Sequence, residues 1–223
     1  MDHLLSIIVF LPLLGALLLV LLGKRKEGFT KTLALIISTA NFLISLLLYF
    51  RFKPNTAEMQ FVEKTPWIES WGISYHFGID GISLFMVILT TFLSAIAILS
   101  SWTAITEKVR GYMISMLLLE TGMLGVFVSL DLFLFYVFWE AMLIPMYLLI
   151  GIWGGGRRIY AAVKFFIYTM AGSLLMLVGI LTLYYHQEVG ERTFNILRLM
   201  ELNIPSSLQF WLFLAFAVSF AIK

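Results

Sequence analysis

Long, nearly uninterrupted runs of apolar residues dominate the chain. An α-helix needs about 20 residues to cross the hydrocarbon core of a bilayer, and six runs have this length: residues 4–22, 32–50, 81–102, 112–130, 132–152 and 161–185. A seventh run begins near Leu208 and continues to Lys223. The runs are apolar on nearly every side. The pattern therefore predicts an all-α, polytopic bundle with six complete transmembrane helices and a truncated seventh.

Two connections between the runs are long enough to form structure of their own. The connection at 51–78 contains TPWIESWGISYHFGIDG, which is too polar to span a membrane, and we expect it to form an ordered cap on the outer side. The connection at 186–206 is predicted to carry a short surface helix at 194–202. We expect a single transmembrane domain over 1–223, with peripheral helices and the outer loop at 1–110.

The distribution of charge predicts the orientation of the bundle. Asp2 and His3 precede the first run and GKRKEGFTK follows it, so this run is predicted to be a retained helix with its N-terminus outside. The connections then placed inside hold nine basic residues against five outside, as the positive-inside rule requires. The inner set is Lys24, Arg25, Lys26, Lys31, Lys108, Arg110, Arg157, Arg158 and Lys164, and the outer set is Arg51, Lys53, Lys64, Arg192 and Arg198.

Composition supports a membrane protein and narrows its chemistry. The chain is 61% hydrophobic and only 13% charged, whereas soluble domains contain about 25% charged residues. Because it has no cysteine, it cannot supply thiolate ligands to an iron–sulfur cluster or zinc. Its three histidines fall at the ends of runs or in connections. We therefore expect no cofactor and no metal in this chain, and the net charge of +2 does not indicate nucleic acid as a partner.

Glu140 is the ionisable residue that most demands an explanation. It lies near the middle of the run at 132–152, where a charged side chain costs a few kcal/mol on insertion scales. Tyr136 and Tyr147 share its helical face. Pro145 lacks the N–H that would bond the carbonyl of Ala141, so water could bind beside the carboxylate. Because acids inside membranes usually mark ion or proton paths, Glu140 is predicted to be functional.

Three further ionisable residues lie inside apolar runs. Lys223 is the natural counter-charge for Glu140, and a coupled Glu–Lys pair titrates as a unit, as a proton relay requires. Lys164 lies one turn inside its run and could either take part in proton transfer or reach the inner surface. Glu120 could serve proton transfer, or it could hydrogen-bond a neighbouring helix. Asp80 precedes the third run as an N-cap or first-turn anion.

Several segments resemble one known family. SLDLFLFYVFWEAMLIPMYLLIGIWGG, AAVKFFIYTMAGSLLML, FAVSFAIK and DGISLFMV are similar to the M-type antiporter-like subunits of complex I, the proton-pumping NADH:quinone oxidoreductase. The resemblance covers essentially the whole chain, and FWE-x-x-LIPMY is its most specific part. It implies that Glu140 is the family's glutamate of the fifth helix and Lys223 the lysine of the broken seventh helix. It also implies that Lys164 and Asp80 match the basic residue of the sixth helix and the acidic residue preceding the third.

The resemblance also implies how much of the architecture is present. Family members have about 14 helices, including two inverted repeats of about five helices each. Residues 111–223 would then form the first part of the first repeat. The second repeat is not in this sequence, so we expect the sequence to be the N-terminal part of a longer protein or of a divided one.

The implied function is that of a proton-translocating subunit in the membrane arm of complex I. Glu140 would be the switch and Lys223 the proton carrier, with protons entering from the inner side near Lys164. The implied partners are lipid, protons and the L-type and N-type antiporter-like subunits. NAD, FMN, iron–sulfur clusters and quinone would be bound by partner subunits, so this chain would carry no redox centre. The expected location is the bacterial cytoplasmic (inner) membrane.

Two alternatives remain open. Subunits of Mrp-type Na⁺/H⁺ antiporters share the architecture and the Glu/Lys pair, and they would move protons without an NADH dehydrogenase. The chain could also be a passive scaffold whose buried charges are tolerated structural pairs.

Overall fold

The computed structural model describes residues 3–23 and 26–223. Asp2, Lys24 and Arg25, which entered the orientation argument, lie outside the described residues. The helices are α1 (Leu4–Leu21), α2 (Glu27–Arg51), α3 (Gly81–Ala104), α4 (Val109–Val128), α5 (Leu132–Ala141), α6 (Leu143–Trp153), α7 (Arg158–His186), α8 (Ile196–Leu199) and α9 (Ser206–Ile222). The strands are β1 (Gln60–Ile68) and β2 (Ile73–Ile79).

The predicted fold class is confirmed. Within the described ranges, six segments are long and apolar enough to cross a membrane: α1, α2, α3, α4, α5 together with α6, and α7. The seventh apolar run forms the shorter helix α9. The surface helix predicted at 194–202 is present as the single turn of α8. Hydropathy and length therefore locate the spans to within a few residues.

The connection at 51–78 forms a β-hairpin, which the sequence analysis did not identify. Strands β1 and β2 pair and are joined by the 3₁₀ turn Glu69–Trp71 and by Gly72, whose φ is +64°. A Cβ on Gly72 would lie 2.2 Å from the carbonyl oxygen of Arg192. Glycine is therefore required here for two reasons, the left-handed turn and the close backbone approach. The expectation of an ordered connection holds, but its order is that of a hairpin.

The chain divides into two compact units. The first contains Met1–Glu63 and Phe77–Val128, and therefore α1 to α4. The second contains Lys64–His76 and Ser129–Lys223, and therefore α5 to α9. The hairpin contributes residues to both. The division into residues 1–110 and residues 111–223, which the family resemblance implies, stays a prediction.

The packing of α2 in the first unit shows how the surrounding lipid dictates the helix faces. Its buried residues are mostly small or polar: Thr30, Lys31, Ala34, Ser38, Asn41, Ser45 and Leu48. Its exposed side carries large apolar side chains such as Phe29, Ile36, Leu43 and Phe50. This arrangement is the reverse of a soluble amphipathic helix. Small residues let the helix backbones approach, and polar residues bond across the interface.

Two basic residues of the first unit donate hydrogen bonds to carbonyl oxygens near the ends of helices. Lys31 is buried, and its Nζ donates to the carbonyl oxygens of Trp102 at 2.7 Å and Ile105 at 2.8 Å, where α3 ends. Arg110 donates to the carbonyl oxygen of Val20, near the end of α1, at 3.0 Å. The last carbonyls of a helix lack intrahelical partners and carry partial negative charge. These two cations therefore stabilise helix ends as well as contributing to the charge asymmetry.

Acidic residues bind the opposite kind of helix end. Glu63 accepts hydrogen bonds from the backbone N–H groups of Leu5 at 2.8 Å and Ser6 at 3.2 Å, and from the Ser6 hydroxyl, at the start of α1. Asp80 caps α3 through the N–H groups of Ile82 and Ser83. The hydrogen bonds from Ser83 lower the pKa of Asp80 below its usual value. The N-cap role predicted for Asp80 is confirmed.

Helices α7 and α9 of the second unit approach closely at two glycines. A Cβ on Gly172 would lie 2.9 Å from Cγ2 of Ile222, and a Cβ on Gly179 would lie 3.1 Å from the ring of Phe216. Small residues at these two positions let the backbones of the helices come close together. Ile222 directly precedes Lys223, so the contact at Gly172 also fixes the backbone that carries this lysine.

Replacing Gly172 with leucine should destabilise the protein because the new side chain would overlap Ile222. Overpacking of this kind costs about 1–3 kcal/mol. Thermal unfolding of the protein in lipid nanodiscs measures the effect. Gly28→Leu is the matched control, because no atom lies within 4 Å of a Cβ at Gly28. Equal unfolding midpoints for the two variants would contradict the close packing of α7 and α9.

Candidate functional site

The fifth span is interrupted next to its acidic residue. Helix α5 ends at Ala141 and α6 begins at Leu143, with Met142 between them. Pro145, in the first turn of α6, has no N–H to donate to the carbonyl of Ala141. Because Glu140 is the penultimate residue of α5, its carboxylate lies where the regular helical hydrogen bonding stops. Pro145 predicted this opening from the sequence.

Glu140 is half-buried and incompletely hydrogen-bonded. Its Oε1 atom is inaccessible to solvent and has no hydrogen-bond partner among the described residues. The Tyr136 hydroxyl, one turn earlier, lies within hydrogen-bonding reach of the Glu140 carboxylate and of Ser173 on α7. A buried carboxylate oxygen without a donor costs free energy. It is therefore a site at which a proton, a water molecule or a cation would be stabilised.

The structure brings Lys223 into the neighbourhood of Glu140. The Lys223 ammonium interacts electrostatically with the Glu140 carboxylate. Its direct hydrogen bond, however, goes to the carbonyl oxygen of Trp139, and its Nζ lies 4.2 Å from the centre of the Trp139 ring. A cation over an indole face is attracted by the negative potential of the ring. The ammonium is thus held beside the acid by a neutral neighbour.

Two more polar atoms in this region are buried without a partner in the described part of the chain. They are Nε1 of Trp139 and Oγ of Ser219, which precedes Lys223 by one turn of α9. With Oε1 of Glu140, the residue that follows Trp139 in α5, they are a donor, a hydroxyl and an acceptor without partners among the described residues. Buried polar atoms that proteins leave unpaired are commonly bridged by ordered water. The chemistry of this set suits internal water.

Lys164 lies in a different environment. It is exposed and lines an open cavity of about 610 Å³ together with Arg157, Arg158 and Tyr160. Its Nζ lies 5.9 Å from the centre of the Tyr160 ring. Ser173 lies nine positions further along α7, or about 14 Å at 1.5 Å per residue. The structure therefore does not bring Lys164 into contact with the Glu140 neighbourhood, and its role in proton uptake stays a prediction.

Glu120 belongs to the first unit and is completely buried. Its Oε2 accepts a hydrogen bond from the Ser38 hydroxyl at 3.0 Å, and its Oε1 accepts one from Nδ2 of Asn41 at 2.8 Å. Both donors belong to α2. The prediction that Glu120 bonds a neighbouring helix is confirmed.

Asp131 is a buried acid that the sequence analysis missed. Its Oδ1 accepts the N–H groups of Phe133 at 3.0 Å and Leu134 at 3.2 Å, which caps α5. Its Oδ2 accepts from the N–H of Ser74 at 3.0 Å and from the Ser74 hydroxyl at 3.1 Å. Burial raises the pKa of Asp131, and these hydrogen bonds oppose that rise. An aspartate directly before an apolar run is an N-cap signal, so this role was readable.

The backbone around Asp131 joins three segments of the second unit. The N–H of Leu130 donates to the carbonyl of His76 on β2 at 2.8 Å, and that of Leu132 donates to Phe194 at 2.8 Å. Ile196 returns a bond to the carbonyl of Leu130 at 2.9 Å. Helix α5 therefore begins at a fixed point between the hairpin and the segment before α8. This anchorage sets the height of the helix that carries Glu140.

The comparisons with known proteins agree with this architecture. Residues 129–223 match the sequence model of the family described as NADH:quinone oxidoreductase/Mrp antiporter, TM. The chain is 47% identical over 240 aligned positions to NADH-quinone oxidoreductase subunit M of Rhodobacter capsulatus, covering 100% of this chain and 46% of that protein. It is 42% identical to NADH-ubiquinone oxidoreductase chain 4 of Mycosarcoma maydis, covering 98% of this chain and 45% of that protein.

Solved structures give the same result. A chain of respiratory complex I from Thermus thermophilus with bound NADH superposes with a TM-score of 0.83 at 30% identity, over 97% of this chain and 43% of that one. A chain of the Mrp complex from Dietzia sp. DQ12-45-1b superposes with a TM-score of 0.79 over 98% of this chain and 23% of that one. At 16% identity the second likeness shows the fold alone.

The fold and the matches define a polytopic membrane protein of the antiporter-like class. Residues 129–223 match the NADH:quinone oxidoreductase/Mrp antiporter membrane family, and the whole chain is similar to NADH-quinone oxidoreductase subunit M and NADH-ubiquinone oxidoreductase chain 4. It spans about half the length of the curated relatives that it matches.

Replacing Asp131 with alanine should loosen the start of α5. Three backbone N–H groups, those of Ser74, Phe133 and Leu134, would lose their acceptor, and removal of an N-cap alone costs about 0.5–2 kcal/mol. Hydrogen exchange of the amides at the start of α5 and in β2 measures this loosening. Glu188→Gln, which removes an exposed carboxylate in the same unit, is the control. Unchanged protection in Asp131→Ala would show that the cap does not hold this junction.

His76 should make the stability of the hairpin depend on pH. Its side chain is 3% exposed and its Nδ1 has no hydrogen-bond partner among the described residues. Burial, and secondarily the charge of Lys64, lower the pKa of His76 to about 4. The unfolded segment takes up a proton near pH 6.5, whereas the folded one does so only near pH 4. The contribution of uncharged His76 to the stability of the hairpin is therefore complete above pH 6.5 and is lost as the pH falls towards 4.

Amide hydrogen exchange of the hairpin, measured from pH 7 down to pH 4, tests this linkage. The opening free energy of the hairpin should fall with pH by at most about 3 kcal/mol in the unsubstituted protein. In His76→Gln this pH-dependent part should disappear. The difference between the two proteins separates the effect of His76 from that of Asp131. Because burial raises the pKa of Asp131, its protonation changes the opening free energy in the opposite direction. Parallel pH profiles would contradict the assignment.

Proposed function

We propose that this chain contributes a proton-transfer site to the membrane arm of a proton-translocating NADH:quinone oxidoreductase. The observation that carries the proposal is the environment of Glu140. A buried carboxylate oxygen without a donor lies at an interrupted helix, with the Lys223 ammonium close enough to interact electrostatically. The likeness to subunits of NADH-quinone oxidoreductase supplies the class of reaction.

Glu140 acts as the switch in this proposal. When the Lys223 ammonium lies near, the ionised carboxylate is favoured, because an opposite charge stabilises it. When the ammonium moves away, the buried carboxylate is left without a counter-charge or a donor at Oε1, and it takes up a proton. Returning the ammonium expels that proton. Movement of one side chain thus changes the proton affinity of another, which is the requirement of a pump.

Lys223 acts as the movable cation and proton carrier. Its present contacts are a carbonyl oxygen and the face of Trp139, neither of which is a charged partner. A lysine held by neutral groups can exchange them for a carboxylate at lower cost than one locked in an ion pair. The long, flexible side chain of lysine suits such a movement.

Protons reach the site through water in this proposal. Nε1 of Trp139 and Oγ of Ser219 lack partners in the described part of the chain, so they could hold the water nearest to Glu140. Lys164, with Arg157 and Arg158, stands at the open cavity where protons would enter. Tyr136 and Ser173 provide hydroxyl groups beside the carboxylate.

The assignment carries expectations for the whole assembly. The partners would be further membrane-arm subunits, including the L-type and N-type antiporter-like subunits. They and the remaining subunits would bind NAD, FMN, iron–sulfur clusters and quinone. The protein would reside in the bacterial cytoplasmic membrane with the N-terminus of this chain outside. Redox energy would then reach Glu140 through conformational change and not through an electron carrier in this chain.

Replacing Glu140 with glutamine in the complete assembly should abolish proton pumping coupled to quinone reduction. Glutamine preserves the shape of the side chain but cannot exchange a proton. Proton uptake into sealed vesicles, measured with a pH-sensitive dye during NADH oxidation, should fall to the background level. Glu188→Gln, on an exposed connection, is the matched control and should pump normally.

The same vesicles distinguish the competing functions. If Glu140→Gln changes only the amount of assembled complex and pumping per complex stays normal, the chain is a scaffold. An Mrp-type exchanger would instead drive proton flux in response to a Na⁺ gradient in vesicles without any NADH dehydrogenase. Such flux, lost in Glu140→Gln, would assign the site to cation exchange.

A further inference from the structure

A second cluster of polar groups is buried in the first unit, around Glu120. Glu120 is 0% exposed, as are Ser38 and Asn41 on α2. The carboxylate receives one hydrogen bond on each oxygen, from the Ser38 hydroxyl and from the Asn41 amide. No cation takes part in these contacts, whereas the Lys223 ammonium lies near enough to Glu140 to interact electrostatically with it.

The elements packed against Glu120 supply no counter-charge at its depth. The described parts of α1 and α3 contain no ionisable side chain. On α2, Lys31 is ten residues from Asn41, or about 15 Å along the helix, and its Nζ is bound to two carbonyl oxygens at the end of α3. The other ionisable side chains on α2 and α4 are Glu27, Tyr49, Arg51, Arg110 and Tyr112.

The Asn41 amide has one atom that the cluster does not use. Its Oδ1 is buried and has no hydrogen-bond partner among the described residues, while its Nδ2 donates to Glu120 at 2.8 Å. The two ends of a carboxamide have nearly the same shape, and one accepts where the other donates. Rotation of the amide by half a turn would present Oδ1 to Glu120 in place of Nδ2.

We propose that Glu120, Asn41 and Ser38 form a second proton-binding site, in which the Asn41 amide turns to match the protonation state of Glu120. With Glu120 ionised, Nδ2 of Asn41 donates to Oε1. With Glu120 protonated on Oε1, the new O–H donates to Oδ1 of the rotated amide. The proton comes from water and returns to water, and no other covalent bond changes.

The number of hydrogen bonds is the same in both states. Ser38 donates to Oε2 in each, and one atom of the Asn41 amide bonds Oε1 in each. One amide atom also remains unpartnered in each. A cluster that keeps its hydrogen bonds through a protonation change avoids the penalty of leaving a buried group without its partner. This equivalence separates a proton-binding site from a carboxylate that only joins two helices.

Infrared difference spectroscopy of the full-length protein in lipid bilayers tests the proposal. Over a pH titration, a carbonyl stretching band of a protonated carboxylic acid should appear at low pH and disappear at high pH. Glu120→Gln should remove that band. An unchanged spectrum in Glu120→Gln, or a Glu120 band that does not change over the titration, would overturn the proposal, because Glu120 would then remain in one state.

Variants of the partners identify the switch itself. Asn41→Leu removes the acceptor of the carboxyl O–H, so the Glu120 band should shift to higher wavenumber. Ser38→Ala, a smaller change, removes the donor to Oε2 and should shift the band in the same direction. Ser45→Ala is the matched control, because Ser45 lies one turn further along α2 and bonds Thr91 at 2.9 Å. A band that stays in place in both partner variants would show that Asn41 and Ser38 do not hydrogen-bond the carboxyl group of Glu120.

The outcome is independent of the Glu140 mechanism. The Glu120 band should titrate normally in a Glu140→Gln background, even where pumping is lost. Loss of the Glu120 titration in that background would show that the two acids form one coupled site, and it would overturn the assignment of a separate site.

Discussion

The demand that buried polar groups find partners in the absence of water controls this structure. In hydrocarbon an unpaired donor or acceptor costs several kcal/mol. Helix α2 meets this demand by turning Ser38, Asn41 and Ser45 inwards and its large apolar side chains outwards. The bundle is therefore held by shape and by hydrogen bonds between helices. Each acid in the interior must be understood through the donors that surround it.

The ends of the helices follow the same rule. Lys31 and Arg110 bind carbonyl oxygens where helices end, while Glu63 and Asp131 bind N–H groups where helices begin. Each charge thus complements the local helix dipole. Such contacts fix where each helix starts along its own axis. A mechanism that depends on the depth of Glu140 needs this fixed start, and Asp131 supplies it.

The sequence was sufficient for the features that local patterns determine. Hydropathy located the spans, Pro145 indicated the interruption beside Glu140, and Asp80 was recognisable as a cap. The hairpin was missed because its strands lie in a polar connection, where no hydropathy pattern marks them. The bonds of Asn41 and Ser38 to Glu120 were missed because they join residues about 80 positions apart. Only the register between α2 and α4 decides which side chains meet there.

Glu120 and Glu140 show why depth in the membrane does not by itself define the role of an acid. Both lie near the centres of apolar runs, and the sequence alone gives them the same cost of burial. Glu120 has a donor on each oxygen and no cation in contact with it. Glu140 has a buried oxygen without a donor and an ammonium held nearby by neutral groups. Glu140 has an unused acceptor, so a donor can bind it without breaking an existing hydrogen bond. Glu120 can change state only if its neutral partners reorganise with it. In our proposals the same kind of side chain therefore serves coupling in one place and local proton storage in the other, and the difference lies in the partners.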